Sequence, residues 1–155
     1  MKDAIAILIA DHKKVKGLFK EANELSDAAY SSRAKVFREI DTELSLHARV
    51  EETIFYPAFK AKTKSRSDER EEVLEAYEEH AAVKELSAKL EALDPKDETF
   101  KPKLQVLIEM VEHHVKEEET EMFKAARQLL SEDELVALGE QILQAKESAK
   151  ATAPA

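Results

Sequence analysis

In the stretch HARVEETIFYP, His47 precedes Glu51 by four residues, and in HVKEEETEMF, His114 precedes Glu118 by four. On an α-helix this spacing sets an imidazole and a carboxylate one turn apart on one face, able to grip one cation or two neighbouring ones. A single such pair carries little information, because roughly one histidine in six would have it by composition in a chain this rich in glutamate. Two pairs, together with His12 and His80, make a donor set whose arrangement can be tested from residue numbers. The fifth histidine, His113, lies about 100° round the helix from His114 and offers an alternative pair with Glu117. Leu107, Val111 and Met122 share the face of His114 and Glu118, so the apolar phase favours those two.

These polar residues occupy positions where a helical core would place leucine. A first helix is expected from about Lys2 to Leu25, with Ile5, Leu8, His12, Val15, Phe19 and Ala22 forming its inner stripe. The second carries Phe37, Ile40, Leu44, His47, Glu51, Ile54 and Ala58, and Pro57 is expected to kink or loosen its last turn. The third presents Val73, Ala76, His80, Val83, Ser87 and Leu90. The fourth presents Leu104, Leu107, Val111, His114, Glu118, Met122, Ala125 and Leu129. Polar segments SDAAYSS, KTKSRSDER and DPKDETFKP separate them. Ser131 and Glu134 form a capping-box pattern ahead of a shorter helix through about Lys146. The expected fold is all-α: an up-down-up-down antiparallel four-helix bundle over residues 1–130, a C-terminal helix packed on it over 131–149, and a flexible tail over 150–155.

Two residues at one height in an antiparallel hairpin lie equally far from its turn, so half the sum of their numbers falls in the loop. For His12 and His47 that value is 29.5, inside SDAAYSS; for Glu51 and His80 it is 65.5, inside KTKSRSDER; for His80 and His114 it is 97, inside DPKDETFKP. An error of two or three residues in a loop centre moves a group by only about 3–5 Å. The six side chains are therefore expected in one layer. A lone histidine on an apolar face is more often a hydrogen-bonded core residue than a ligand, and His12 or His80 alone would be read that way. Six polar groups at one height are different, because each costs about 1–3 kcal/mol if buried unsatisfied. Their sum rivals the ~5–15 kcal/mol stability of a domain.

Neutral imidazoles facing ionised carboxylates are good ligands for divalent transition metals. Four histidines and two carboxylates exceed what a tetrahedral zinc site uses and suit two cations bridged by both carboxylates. With only nitrogen and oxygen donors, iron is expected first, and manganese or zinc remain possible. Because imidazole must be neutral to bind, acidification below about pH 5 is expected to release the ions and loosen the bundle.

Composition narrows the rest. The chain has no cysteine, which removes disulfides, thiolate nucleophiles and iron–sulfur clusters. A net charge of -9 and a pI near 5.2 disfavour nucleic acid and anionic membranes as partners. No apolar run approaches the ~20 residues of a membrane span, and a cytoplasmic location is expected. There is no Gly-rich phosphate loop and no readable Ser-His-Asp arrangement.

With these motifs on the page, the chain resembles the hemerythrin-like family, also described as the HHE cation-binding domain, over roughly Ala4 to Arg127. The family pattern is His, HxxxE, His and HxxxE on four successive helices. It is carried here by DH at Asp11 and His12, HARVEETIFYP, EEH ending at His80, and HVKEEETEMF. Aligning VEETIFYP with EEETEMFK also selects His114 over His113. The resemblance implies a non-haem di-iron centre with an oxygen bridge: His12 and His47 on one iron, His80 and His114 on the other, Glu51 and Glu118 spanning both.

Oxygen-carrying hemerythrins have a second histidine four residues from the one on the third helix, where this chain has Ala76 and Lys84. One iron is then left with a water, or with Tyr77 or Glu79, although each of those side chains reads first as packing or solvated surface. Three functions follow as expectations. One is a monomer or weak homo-oligomer binding O2, NO or a related small ligand, for sensing, carriage or iron handling. Another is a redox enzyme acting on peroxide or oxygen. The third is a metal-free interaction bundle with the last helix as its docking element.

Overall fold

Asp3 opens the first helix by accepting a hydrogen bond from the Ala6 N–H at 2.8 Å, which satisfies one of the donors a helix start leaves free. In the computed structural model, which describes residues 2–152, five helices follow. Helix α1 is Ala4–Asn23. Helix α2 covers residues 30–61 as Tyr30–Val50, a π-turn Glu51–Phe55, and Tyr56–Ala61. Helix α3 is Ser67–Glu91. Helix α4 covers residues 100–129 as Phe100–Glu117, a π-turn Glu118–Met122, and Phe123–Leu129. Helix α5 is Glu132–Thr152. The order and the short connections make α1–α4 an all-α antiparallel bundle.

Two apolar clusters fill the bundle, one on each side of the His/Glu layer. Ala4, Ile5, Ile7, Leu8, Phe55, Tyr56, Phe59, Val73, Ala76, Met122, Phe123 and Ala126 contribute to one. Val15, Phe19, Phe37, Ile40, Leu90, Phe100, Leu104 and Leu107 contribute to the other. In every one of the four helices the switch between clusters occurs at the histidine or glutamate singled out above.

The expected capping box heads α5: Glu134 N–H donates to Ser131 Oγ at 3.1 Å and Ser131 N–H to a Glu134 carboxylate oxygen at 2.8 Å. Leu135, Leu138 and Ile142 of α5 join the first cluster beside Ala4–Leu8. Gly139 permits that approach, since a Cβ there would stand 2.8 Å from the Lys2 carbonyl oxygen. The helix outruns its expected end and includes residues 150–152 of the expected tail, because Lys146–Thr152 is rich in Ala and Lys, which extend a helix at little cost. Residues 153–155 lie outside those described. Among the described residues, no helix is long and apolar enough to cross a membrane.

Candidate metal centre

The backbone is unusual at two equivalent places. In α2 the Tyr56 N–H donates to the Glu51 carbonyl, and in α4 the Phe123 N–H donates to the Glu118 carbonyl. Each is an i to i+5 bond, the mark of a π-turn, and such turns gather at functional sites. Pro57 was expected to disturb the last turn of α2, but the helix passes it and continues to Ala61. Because α4 makes the same π-turn with no proline, the widened turn belongs to the glutamate's surroundings and not to Pro57.

All six expected donors meet in one layer. His12 and His47 bring their Nε2 atoms 3.2 Å apart, and His80 and His114 do the same at 3.2 Å. Two nitrogens sharing a small cation at about 2.1 Å lie roughly 3.0–3.4 Å apart, so this spacing fits a common ion. Oε1 of Glu51 is 3.2 Å from Nε2 of both His47 and His80. Oε1 of Glu118 is 3.2 Å from Nε2 of His12 and 3.4 Å from that of His114. Each carboxylate thus reaches one histidine of each pair.

The outer nitrogens explain the aim of the rings. His12 Nδ1–H donates to Glu119 at 2.6 Å, His47 to Asp11 at 2.8 Å, His80 to Glu52 at 2.9 Å and His114 to Glu79 at 2.8 Å. An ionised carboxylate only accepts, so Nδ1 carries a proton, and Nε2, which faces the layer, is the atom a cation would bind once any proton there is displaced. The pattern has approximate two-fold symmetry. Residues 11 and 79, each just before a lone histidine, hold the paired histidine; residues 52 and 119, each just after a motif glutamate, hold the lone one.

Glu51 and Glu118 are 0% and 2% exposed. Both oxygens of Glu51 and Oε1 of Glu118 are buried without a hydrogen-bond partner. Burial opposes charge on His47, but the Glu51 charge and the bond to Asp11 outweigh it and hold the pKa up to about 10. Burial likewise opposes charge on His114, while Glu118 and Glu79 raise its pKa to about 11. Burial would raise the Glu118 carboxyl, yet the charge and hydrogen bonding of His114 hold it well below the usual range. Cations therefore enter this layer in competition with protons. The donor types, the inward Nε2 atoms and the buried carboxylate oxygens fit bound metal ions.

One member of the site was missed in the sequence. The Tyr56 hydroxyl donates to Glu118 Oε2 at 2.5 Å and lies 3.3 Å from Nε2 of both His80 and His114. Burial first, then the charges of Glu51 and Glu118, push its pKa well above the usual phenol value, so it carries its proton. The two side chains weighed as substitutes for a fifth histidine lie elsewhere. Tyr77 donates to the Glu52 carbonyl at 3.2 Å, and Glu79 binds the outer nitrogen of His114. His113 is exposed and pairs with Glu117 at 2.8 Å on the surface.

A cleft of about 540 Å³ between α2 and α3 ends on the four imidazoles. Small residues Ser45, Ala48, Ser87 and Ala88 face it from the two helices, and Val15, Val111 and Val115 line its floor. It gives a small molecule a way in.

Comparison with known proteins agrees with this geometry. The family model described as Hemerythrin HHE cation binding domain matches residues 3–126. A DNA nickase of Nostoc is 30% identical over 128 residues, covering 83% of this chain and 34% of that protein. An uncharacterised hemerythrin-like protein of Schizosaccharomyces pombe is 28% identical over 128 residues, covering 82% of this chain and 61% of its own length. This chain thus spans about a third and about three-fifths of those two relatives. A crystal structure of a hemerythrin HHE cation-binding domain-containing protein from Mycobacterium kansasii superposes with a TM-score of 0.79 at 27% identity, covering 97% of this chain and 91% of that one.

Proposed function

The chain belongs to the hemerythrin HHE cation-binding family, and from that premise we propose a non-haem di-iron protein that binds oxygen, nitric oxide or a related small ligand. One observation carries the reading: two buried carboxylates each face a histidine of both pairs at 3.2–3.4 Å, with oxygens that have no hydrogen-bond partner. Buried carboxylates need a positive partner, which protons on His47 and His114 supply in metal-free protein and a bound cation supplies in their place.

His12 and His47 would hold one ion, His80 and His114 the other, and Glu51 and Glu118 would serve both. A bound iron pair supplies Lewis acidity and one-electron transfer to a small ligand. The chain's residues do the rest. Asp11, Glu52, Glu79 and Glu119 orient the rings and fix the tautomer. The apolar floor of the α2/α3 cleft admits a small uncharged molecule to the imidazoles. Mixed imidazole and carboxylate donors, with no thiolate, accommodate iron, and zinc or manganese as well.

Tyr56 favours a second reading, a redox enzyme acting on peroxide or oxygen. Its phenol holds a proton 3.3 Å from two inward nitrogens, on the side where a fifth histidine is missing. The nickase description is not carried over: it belongs to a protein of which this chain spans 34%, and a net charge of -9 offers a polyanion no attraction.

Anaerobic iron loading followed by oxygenation cycles tests both readings. A reversible oxygen-dependent change in visible absorption supports the binding protein. Peroxide turnover that is lost in Tyr56→Phe supports the enzyme. Less than one equivalent of metal after loading rejects both in favour of a metal-free bundle.

A further inference from the structure

A second group of carboxylates lies just outside the layer. Glu72, Glu75 and Glu79 of α3 and Glu117 and Glu121 of α4 surround a cavity of about 50 Å³ that also touches Ala76, His114 and Glu118. Among the described residues, no lysine or arginine nitrogen comes within 4.0 Å of Glu72, Glu75 or Glu121. One oxygen of Glu72 is buried without a partner, and so is Oε1 of Glu118, a residue only 2% exposed. Outside this cavity, donor atoms of Glu79, His113 and Glu117 lie within 4.8 Å of one another. A surface groove shares Glu75, Glu79 and Glu117 with the cavity, so surface cluster, cavity and layer form a continuous series.

Glu72, Glu75 and Glu121 have no paired lysine or arginine, so they repel one another and focus a negative field on an approaching cation, while the groove outside also holds Lys60 and the His113–Glu117 pair. The cavity between these carboxylates measures about 50 Å³, and their oxygens line it as exchange partners for an ion's waters. Ala76, four residues before His80, leaves that space open; an imidazole there would fill it. The α2/α3 cleft on the other side is lined by apolar side chains with both signs of charge, including Asp41, Arg49 and Lys84. It lacks a field of one sign.

We propose that the α3/α4 passage is the entry route for divalent cations: Glu79, His113 and Glu117 dock the ion, and Glu72, Glu75 and Glu121 pass it by Ala76 to Glu118. The inference rests on the layer being a cation centre. Cations and small ligands then reach the centre by separate routes.

The test is the rate of anaerobic ferrous-ion uptake by the metal-free protein, followed by stopped flow at several ionic strengths, with final stoichiometry measured on the same samples. The variant combining Glu72→Gln, Glu75→Gln and Glu121→Gln should load at least tenfold more slowly, with a shallower salt dependence and unchanged final stoichiometry. A control combining Glu21→Gln, Glu98→Gln and Glu140→Gln changes net charge equally at exposed sites and should load at the wild-type rate. Ala76→Leu, checked for folding by its melting temperature, should slow uptake by blocking the passage. Equal rates in wild type and the passage variant, with full final loading in both, overturn the route alone. Wild-type protein that takes up no ion overturns the centre and the route with it.

Discussion

His12 and His47 on one side of the layer, and His80 and His114 on the other, are held by the same device: an acceptor carboxylate on each Nδ1 and a shared pair of glutamates on the Nε2 atoms. Their surroundings differ. Against the first pair stands Phe123, stacked on His12 at 5.8 Å. Against the second stands Tyr56, 5.4 Å from the His80 ring, which adds a hydroxyl where Phe123 has none. Lys146 of α5 closes over Asp11 behind the first pair. Behind the second, Glu79 adjoins the carboxylate passage. All four imidazoles border the α2/α3 cleft; only the second pair has a phenol proton beside it. The shared device is what both halves offer a cation, and the unshared groups are where the proposed functions of the two halves would differ.

The largest effect should come from the elements common to both halves. Glu51→Gln or Glu118→Gln is expected to lower cation affinity at both pairs, by more than about 100-fold, because each carboxylate serves both. Equilibrium dialysis with metal analysis reads this, and loss of only one ion would break the symmetry. pH comes next. In metal-free protein the stabilisation from His47 and His114, raised above 6.5 to about 10 and about 11, is complete below the unfolded value and drains away as pH rises through those values. Glu118, held well below 4.5, contributes above its unfolded value and loses that contribution as pH falls through its lowered one. Urea unfolding should therefore find metal-free protein firmer near about pH 5.5 than near about pH 10. Cation affinity runs the other way, rising about tenfold per pH unit for each proton displaced. The sequence-based expectation of ion release on acidification keeps its sign, with the competition beginning above neutrality.

Smaller effects separate the halves. Asp11→Asn and Glu79→Gln should each weaken cation binding by about 10–100-fold, as loss of a carboxylate behind a ligand histidine does. Unequal losses in calorimetric titrations would sharpen the distinction between the two halves. Tyr56→Phe makes the second half resemble the first and leaves Glu118 Oε2 without its donor. It should cost metal-free protein about 1–3 kcal/mol in urea unfolding. Lys146→Met should change stability by no more than about 1 kcal/mol, since the pair it makes with Asp11 is only partly buried.

Much of this was legible in the sequence because a bundle converts residue number into height. Half-sums falling in loops were enough to bring His12, His47, Glu51, His80, His114 and Glu118 to one layer. Tyr56 was not legible by the same rule. At about 100° per residue, position 56 points roughly 140° away from Glu51, and only the π-turn swings it inwards. The available signal was the repeat of EET, with an aromatic five residues after the glutamate in both copies, Tyr56 and Phe123. The carboxylates behind the histidines were hidden for another reason. In a chain with 33 acidic residues, Asp11, Glu52, Glu79 and Glu119 look like solvated surface until the rings they orient are placed.

Metal content per chain after anaerobic iron loading and removal of free ions tests the central claim most directly. The two-ion layer predicts two equivalents in wild type, and loss of both in Glu51→Gln. One equivalent or none in wild type, or two retained in Glu51→Gln, would contradict it.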